Sequence, residues 1–300
     1  PGTLTPRRRE ELNSALGWLT FNALTAEVER ARNKPVESLD VRDLSFRAYV
    51  DWGRKKLEKD EKGAYIAATD LLNRALVLAP DDPLALSLTA RVNLCDCVNG
   101  WSKNVEEQQA IGAAALETFL ARNPDSPSML NMKAQLFALR AKYEESLLIA
   151  DSLLKRDPES SEALAIRAYD LLKLGRPQEA LAAVNELLER GQDETLSLAA
   201  AVHFQLAHDE LAAQMARKAV TNLDRDSLGN SRLGAVALTL VAAEARLGHR
   251  SRAKAAMADF NAAVPDVRTV SAIRKWMHPG ADLAGYEPLF DGLRLAGVPD

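Results

Sequence analysis

The chain has 300 residues, of which 47% are hydrophobic and only 5% are aromatic. This composition suits helices that pack through Ala and Leu, and it argues against a fold rich in β-strands. The formal net charge of −4 and the pI of about 5.7 argue against nucleic-acid binding by the chain as a whole.

Residues 1–40 are predicted to form one long helix followed by a linker. Between residues 6 and 33 the apolar side chains recur at helical spacing, at Leu12, Leu16, Leu19, Ala23, Leu24 and Val28. The basic run at residues 7–9 is followed directly by Glu10 and Glu11, as at a solvated helix end. Residues 35–40 break the pattern, which indicates a short linker.

Two helix hairpins are predicted next, over residues 41–80 and 84–124. Between them, Asp82 is suited to cap a helix and Pro83 to occupy its first turn. Pro80 and Pro124 lie 44 positions apart, ten more than the 34-residue spacing found further along the chain. The extra length centres on the link at residues 99–104, where Trp101 is a candidate contact residue. The alternative is that its ring covers the end of the hairpin as part of the core.

The clearest pattern lies in residues 161–194, which are predicted to form two helices folded back on each other. Ser161 is suited to cap the first helix, Gly175 to end it, and Pro177 to begin the second. The first apolar stripe consists of Leu164, Ala168, Leu171 and Leu172. The second stripe consists of Ala180, Leu181, Val184, Leu187 and Leu188.

The same unit occurs 34 residues earlier, where Leu130, Ala134, Phe137, Ala141, Ser146, Leu153 and Leu154 match Leu164, Ala168, Leu171, Gly175, Ala180, Leu187 and Leu188. A fifth hairpin at about 195–226 slips by a residue or two, and a sixth occupies about 234–265. A 34-residue period of helix–turn–helix units resembles the tetratricopeptide repeat. The resemblance implies an all-α, right-handed superhelical array of about six antiparallel hairpins over residues 41–265. Two off-period helices, at 267–276 and 286–295, are expected to cap it within residues 266–300.

The sequence contains no recognisable catalytic motif. A phosphate-binding GxxxxGK[ST] loop and an HExxH motif are both missing, and the four histidines are scattered. The acidic residues follow helical surface patterns, so we expect them to be solvated. We therefore predict a non-catalytic chain that uses no cofactor and no metal.

A binding surface is expected on the concave side of the array, which the first helix of each hairpin lines. The repeat register places six polar or aromatic residues toward this side: Arg91, Asn131, Gln135, Tyr169, Lys173 and His203. Such a mixture suits an extended peptide or a small anionic ligand. The alternative is that these are ordinary polar residues on an exposed face. The paired Lys and Asn clamp of some chaperone-binding relatives is excluded, because Ala165 lies one period after Asn131.

Three segments resemble a narrower group. They are the ending at residues 289–300, the link at 99–102 and the entry at 39–48. All three are similar to the C-terminal repeat regions of bacterial class III adenylate/guanylate cyclases and of winged-helix regulators of the acid-response activator type, which carry a TolB-like segment. This resemblance implies the C-terminal sensory part of a larger signalling protein.

On this reading the module binds a protein, a peptide or a small ligand and regulates an attached cyclase or transcription regulator. The alternative is a self-association module that forms a homodimer through the helix at 6–33. No apolar run is long enough to cross a bilayer. A cytoplasmic location is therefore expected, or a periplasmic one if the parent protein has a membrane helix upstream.

Overall fold

The computed structural model describes residues 27, 29–31, 34–35, 38–57, 61–96, 105–192, 195–222, 230–277 and 286–300. Within these ranges the regular structure is helical, with no β-strand, as the composition predicts. Most of the predicted helix at 6–33 and the whole link carrying Trp101 lie outside the described residues.

The first helices in chain order are α1 (Val41–Leu57), α2 (Glu61–Leu78), α3 (Pro83–Asp96) and α4 (Val105–Arg122). They are followed by α5 (Pro127–Leu139), α6 (Tyr143–Arg156), α7 (Ser161–Lys173) and α8 (Pro177–Glu189). Then come α9 (Leu196–Gln205), α10 (Asp209–Asn222), α11 (Asn230–Arg246) and α12 (Arg250–Ala263). The last two are α13 (Val270–Met277) and α14 (Glu287–Leu295).

The chain divides into two compact units. The first unit comprises residues 1–96 and 101–122, and the second comprises residues 97–100 and 123–300. In the first unit, α1 pairs with α2 and α3 pairs with α4. In the second unit the hairpins are α5/α6, α7/α8, α9/α10 and α11/α12, and the second helix of each contacts the first helix of the next. The predicted arrangement of successive helix hairpins is confirmed in each unit.

The predicted core of the hairpin α7/α8 is confirmed. Leu164, Ala168 and Leu171 are buried on α7, and they pack with Val184 and Leu187 of α8. The cap of α7 lies one residue earlier than predicted. Ser160, not Ser161, precedes the helix, and its hydroxyl accepts a hydrogen bond from the Ala163 N–H at 3.3 Å. The cap at Asp82 is confirmed, because its carboxylate accepts the Ala85 N–H at 2.8 Å.

In the second unit, one residue in each hairpin turn adopts a left-handed backbone conformation. These residues are Ala141, Gly175, Ala207 and Gly248, with φ between 56° and 76°. Glycine takes this conformation at no steric cost, whereas Ala141 and Ala207 hold a Cβ there under strain. Because the four residues are equivalent, they give a common origin for comparing positions between hairpins.

An arginine at the end of a hairpin's second helix reaches back to the turn that precedes the same hairpin. We call this contact the arginine bracket. A guanidinium nitrogen donates to a backbone carbonyl in each case: Arg122 to Asp81 at 3.4 Å, Arg156 to Asp125 at 3.1 Å and Arg190 to Glu159 at 2.8 Å. The bracket satisfies a turn carbonyl and fixes the two ends of the hairpin against each other.

The expectation that acidic residues are solvated is wrong for Asp43, Asp170 and Glu244, which are buried. Asp43 is ion-paired with Arg30 at 2.6 Å and with Lys34. Glu244 pairs with Arg217 and lies 2.8 Å from a ring nitrogen of His249. Neither carboxylate oxygen of Asp170, in contrast, has a hydrogen-bond partner of good geometry. Asp170 lies in the site described next.

Candidate protein-binding face

The first helices of the second unit, α5, α7, α9 and α11, contact one another in succession. We call the surface they share the first-helix face. Counting six residues back from each left-handed turn residue identifies one line of equivalent positions along it: Gln135, Tyr169, Ala201 and Ala242. Gln135 is exposed, Tyr169 and Ala201 are partly buried, and Ala242 is fully buried. Accessibility along this line therefore decreases from α5 to α11.

Helix α14 covers the α11 end of this line. It contacts α11 extensively and α9 at its edge. Gly292 lies so close to Ala242 that a Cβ added to it would stand 2.6 Å from the Ala242 Cβ. Only glycine permits this approach. The chain's own C-terminal segment thus occupies the part of the first-helix face that belongs to the last hairpin.

Several independent contacts hold α14 in place. Phe290 and Leu293 are fully buried in the same apolar cluster as α11. The Arg274 guanidinium lies 3.9 Å from the Phe290 ring centroid and pairs with Glu287 at 2.6 Å. The Val270 N–H donates to the Pro299 carbonyl at 2.8 Å. These contacts fix α14 to the second unit.

Three tyrosines and one lysine meet where the covered part of the face ends. We call Tyr143, Tyr169, Lys173 and Tyr286 the tyrosine cluster. The Lys173 ammonium lies 5.1 Å from the Tyr169 ring centroid and 4.5 Å from that of Tyr286. The Tyr143 and Tyr169 rings meet edge to face with centroids 6.3 Å apart. The ammonium is therefore held by the faces of two aromatic rings.

Burial determines the protonation behaviour of this cluster. It raises the pKa of Tyr169 and of Tyr286, so both phenols remain neutral at physiological pH. It lowers the pKa of Lys173 to about 8, because desolvation disfavours the ammonium. Lys173 is thus mostly charged at pH 7, and it loses its charge as the pH rises through about 8.

Asp170, next to Tyr169, is fully buried, and neither carboxylate oxygen has a hydrogen-bond partner of good geometry. Burial raises the pKa of Asp170 to about 7, and the nearby Ser146 hydroxyl only partly offsets this effect. The equivalent residues, five before each left-handed turn residue, are Leu136, Val202 and Ala243, all of them buried. Asp170 therefore occupies a core position that is apolar in the other hairpins of this unit.

The structure brings two further predicted residues, Asn131 and Gln135, onto α5 beside α7. The Asn131 side-chain amide donates to the Glu162 carboxylate of α7 at 3.0 Å, while its carbonyl oxygen has no hydrogen-bond partner. Gln135 is exposed. Asn131 is buried, so Gln135 supplies the accessible amide of α5, beside the partly buried Tyr169 and Lys173 of α7.

Two predicted residues do not join this group. His203 lies four residues before Ala207, the position that the buried Leu171 holds relative to Gly175. It is buried, and a nitrogen of its ring stands 3.3 Å from one of His208. The 34-residue register misplaced His203 because the turn residues Gly175 and Ala207 are only 32 positions apart, two fewer than the period. Arg91 lies on α3 in the first unit, where it is partly buried, and Trp101 lies outside the described residues.

The described residues contain no group of three or more His, Cys, Asp or Glu side chains placed to hold a metal ion. Among the helices described, none is both long and apolar enough to cross a membrane.

The stacked helix hairpins define an all-α fold like that of tetratricopeptide-repeat proteins. In agreement, the crystal structure of PilW, a widely conserved type IV pilus biogenesis factor, matches this chain with a TM-score of 0.51. The two are 18% identical, and the match covers 77% of this chain and 98% of PilW. At this identity the likeness shows the fold alone.

A tetratricopeptide repeat protein from Parabacteroides merdae also matches, at 17% identity and a TM-score of 0.47, over 84% of this chain and 99% of that chain. No family model and no curated protein matches the sequence.

Proposed function

We propose that this chain is a non-catalytic interaction module that binds a segment of a partner protein on the α5 and α7 part of the first-helix face. The observation that carries this proposal is the position of α14. It covers the line over α11, where Gly292 packs on Ala242, and leaves Gln135 of the same line exposed on α5. Tyr169 and Lys173 lie next to this uncovered end, where the covered part of the face stops.

The chemistry of this surface favours an extended polypeptide. The exposed amide of Gln135 can both donate hydrogen bonds to a peptide backbone and accept them from it. Lys173 adds a positive charge next to aromatic rings. Together these groups can fix the backbone of a bound segment and select among its side chains.

The resemblance to the C-terminal regions of bacterial cyclases and winged-helix regulators supports a regulatory role. On this proposal, partner binding biases an attached signalling effector in the cytoplasm. Coupling of this kind requires a partner that binds two states of the parent protein with different affinity, typically by ~1–3 kcal/mol.

The test is affinity capture of partners by the immobilised chain, compared with a face variant that combines Gln135→Ala with Lys173→Glu. The matched control is Lys155→Glu, which reverses an exposed charge on α6. We expect the face variant to lose a partner that the wild type and the control retain, with all three chains showing the helical circular dichroism of the fold. A face variant that captures the same partners as the control would refute this site.

A further inference from the structure

We infer that His203 and His208 form a binding site for one divalent transition-metal ion at the turn between α9 and α10. Both imidazoles bind the ion through Nδ1, and water completes its coordination. Imidazole is a preferred ligand of Zn²⁺, Cu²⁺ and Ni²⁺, and the geometry favours Zn²⁺ among them. The site lies apart from the α5 and α7 part of the first-helix face, so this inference does not depend on the proposed function.

The hairpin turn brings the two imidazoles together. His203 lies in the last turn of α9, and the His208 N–H donates to its carbonyl oxygen at 2.9 Å. Ala207 between them adopts the left-handed conformation, which folds the chain back over the end of the helix. On a continuous helix, residues five positions apart do not face each other. The spacing in the sequence therefore gives no metal-binding motif, and the pair is a product of this turn.

The separation of the two ring nitrogens matches that of two ligands on one ion. The Nδ1 atoms of His203 and His208 lie 3.3 Å apart. Two nitrogens bound at about 2.0–2.1 Å to a tetrahedral zinc ion are about 3.3–3.4 Å from each other. A hydrogen bond donated by an N–H group is usually shorter, at about 2.9–3.0 Å. Both rings can therefore bind one ion with little movement.

The other hairpins of the second unit show what these two positions otherwise hold. The same backbone hydrogen bond across the turn joins three further pairs: Phe137 with Lys142, Leu171 with Arg176, and Glu244 with His249. The first two pairs each contain an apolar side chain, which cannot bind a metal. In the third, Glu244 is already ion-paired with Arg217, and it lies at the hydrogen-bonding distance of 2.8 Å from His249. Of the four pairs, the two histidines are thus the best suited to share an ion.

Burial and charge at the turn are compatible with a bound cation. His208 is exposed, which gives the ion access from solvent, whereas His203 is buried. Burial lowers the pKa of His203, and the neutral imidazole is the form that binds a metal. Asp209 offsets the charge of Arg246, which it contacts at 3.1 Å. Since the described residues contain no three-ligand group, Asp209 acts here through its charge and not as a ligand.

The first experiment is calorimetric titration of the untagged chain with Zn²⁺ at pH 7. We expect the wild type to bind one Zn²⁺ at this site, and His208→Gln to bind it at least roughly tenfold more weakly, because one of the two ligands is gone. The control is His249→Gln, which removes the other exposed imidazole that follows a left-handed turn residue. It should bind Zn²⁺ as the wild type does. Circular dichroism checks that each variant is folded.

The second experiment identifies the ligating atoms by long-range ¹H–¹⁵N NMR of the imidazole rings. Zn²⁺ should shift the Nδ1 resonances of His203 and His208 and leave those of His249 nearly unchanged. A metal bound elsewhere on the chain would not give this pattern. His203→Phe, which introduces the residue that the α5/α6 hairpin has at this position, should weaken Zn²⁺ binding as His208→Gln does.

Three results would each overturn the inference. The first is equal Zn²⁺ affinity of the wild type and the folded His208→Gln chain. The second is a wild-type affinity no higher than that of free imidazole, which would show that the pair does not chelate. The third is the absence of a Zn²⁺-dependent shift at Nδ1 of His203 and His208. None of these results affects the proposed binding of a partner on α5 and α7.

Discussion

Replacing Asp170 with asparagine should stabilise the chain increasingly, relative to the wild type, as the pH rises from 4.5 to 7.5. Asp170 is fully buried, neither of its carboxylate oxygens has a hydrogen-bond partner of good geometry, and its pKa is raised from 3.8 to about 7. The folded state therefore holds a proton that the unfolded state has released, so the free energy of unfolding falls with increasing pH. Asparagine has nearly the same shape and does not titrate.

The magnitude follows from the two pKa values. Each unit of pKa difference corresponds to about 1.4 kcal/mol, and the wild type should lose about 3 kcal/mol relative to the variant between pH 4.5 and 7.5. Tyr143 and Tyr169, which face Asp170, have raised pKa values and stay neutral throughout this interval. The interval ends at pH 7.5 because the pKa of Lys173 is lowered to about 8.

The assay is urea unfolding of both chains at pH 4.5, 5.5, 6.5 and 7.5, followed by circular dichroism. Glu145→Gln is the control, because it neutralises an exposed carboxylate on α6. The control should track the wild type at every pH. Parallel pH profiles for the wild type and the Asp170→Asn chain would show that the buried carboxylate does not titrate as argued.

The remaining predictions concern packing, turns and assembly. Ala168→Leu should overpack the hairpin α7/α8 and cost ~1–3 kcal/mol of stability. The same change at the exposed Ala182 should leave the melting temperature nearly unaltered, and equal melting temperatures for the two variants would contradict the register. Ala141→Gly should stabilise by about 0.5 kcal/mol in urea unfolding, because glycine removes the left-handed strain; a loss of stability would refute the argument. If residues 6–33 drive self-association, light scattering should give a dimer for the full chain and a monomer after deletion of residues 1–26. This deletion keeps Arg30 and Lys34 beside the buried Asp43, and two monomers would count against dimerisation.

The periodic part of the fold could be predicted from the sequence. The left-handed turn position and the two apolar stripes recur from hairpin to hairpin because each pair of helices packs in the same way, so one clear unit predicts its neighbours. The same register could also have marked Asp170 as buried, since one period earlier the equivalent residue is Leu136. The sequence nevertheless predicted that Asp170 is solvated, because a charged side chain is typical of an exposed helix surface.

The position of α14 could not be predicted. It lies outside the period, and its docking on α11 depends on contacts between residues far apart in sequence, such as the close approach of Gly292 to Ala242. The contact of Tyr286 with Lys173 depends in turn on that docking. His203 was misplaced for a local reason. The turn residues Gly175 and Ala207 are two positions closer than the period, so the residue predicted on the face is shifted by two positions and lies in the core.

The arginine bracket has a consequence for how this architecture tolerates change in length. In the hairpins α5/α6 and α7/α8 its two partners are separated by 31 positions, whereas Arg122 and Asp81 are separated by 41. The contact is nevertheless made, because all of the added chain lies between the partners, within the α3/α4 hairpin. The connection between α3 and α4 is therefore the place to graft a foreign loop. Residues added there should leave the contact of Arg122 with Asp81, which closes the hairpin, intact.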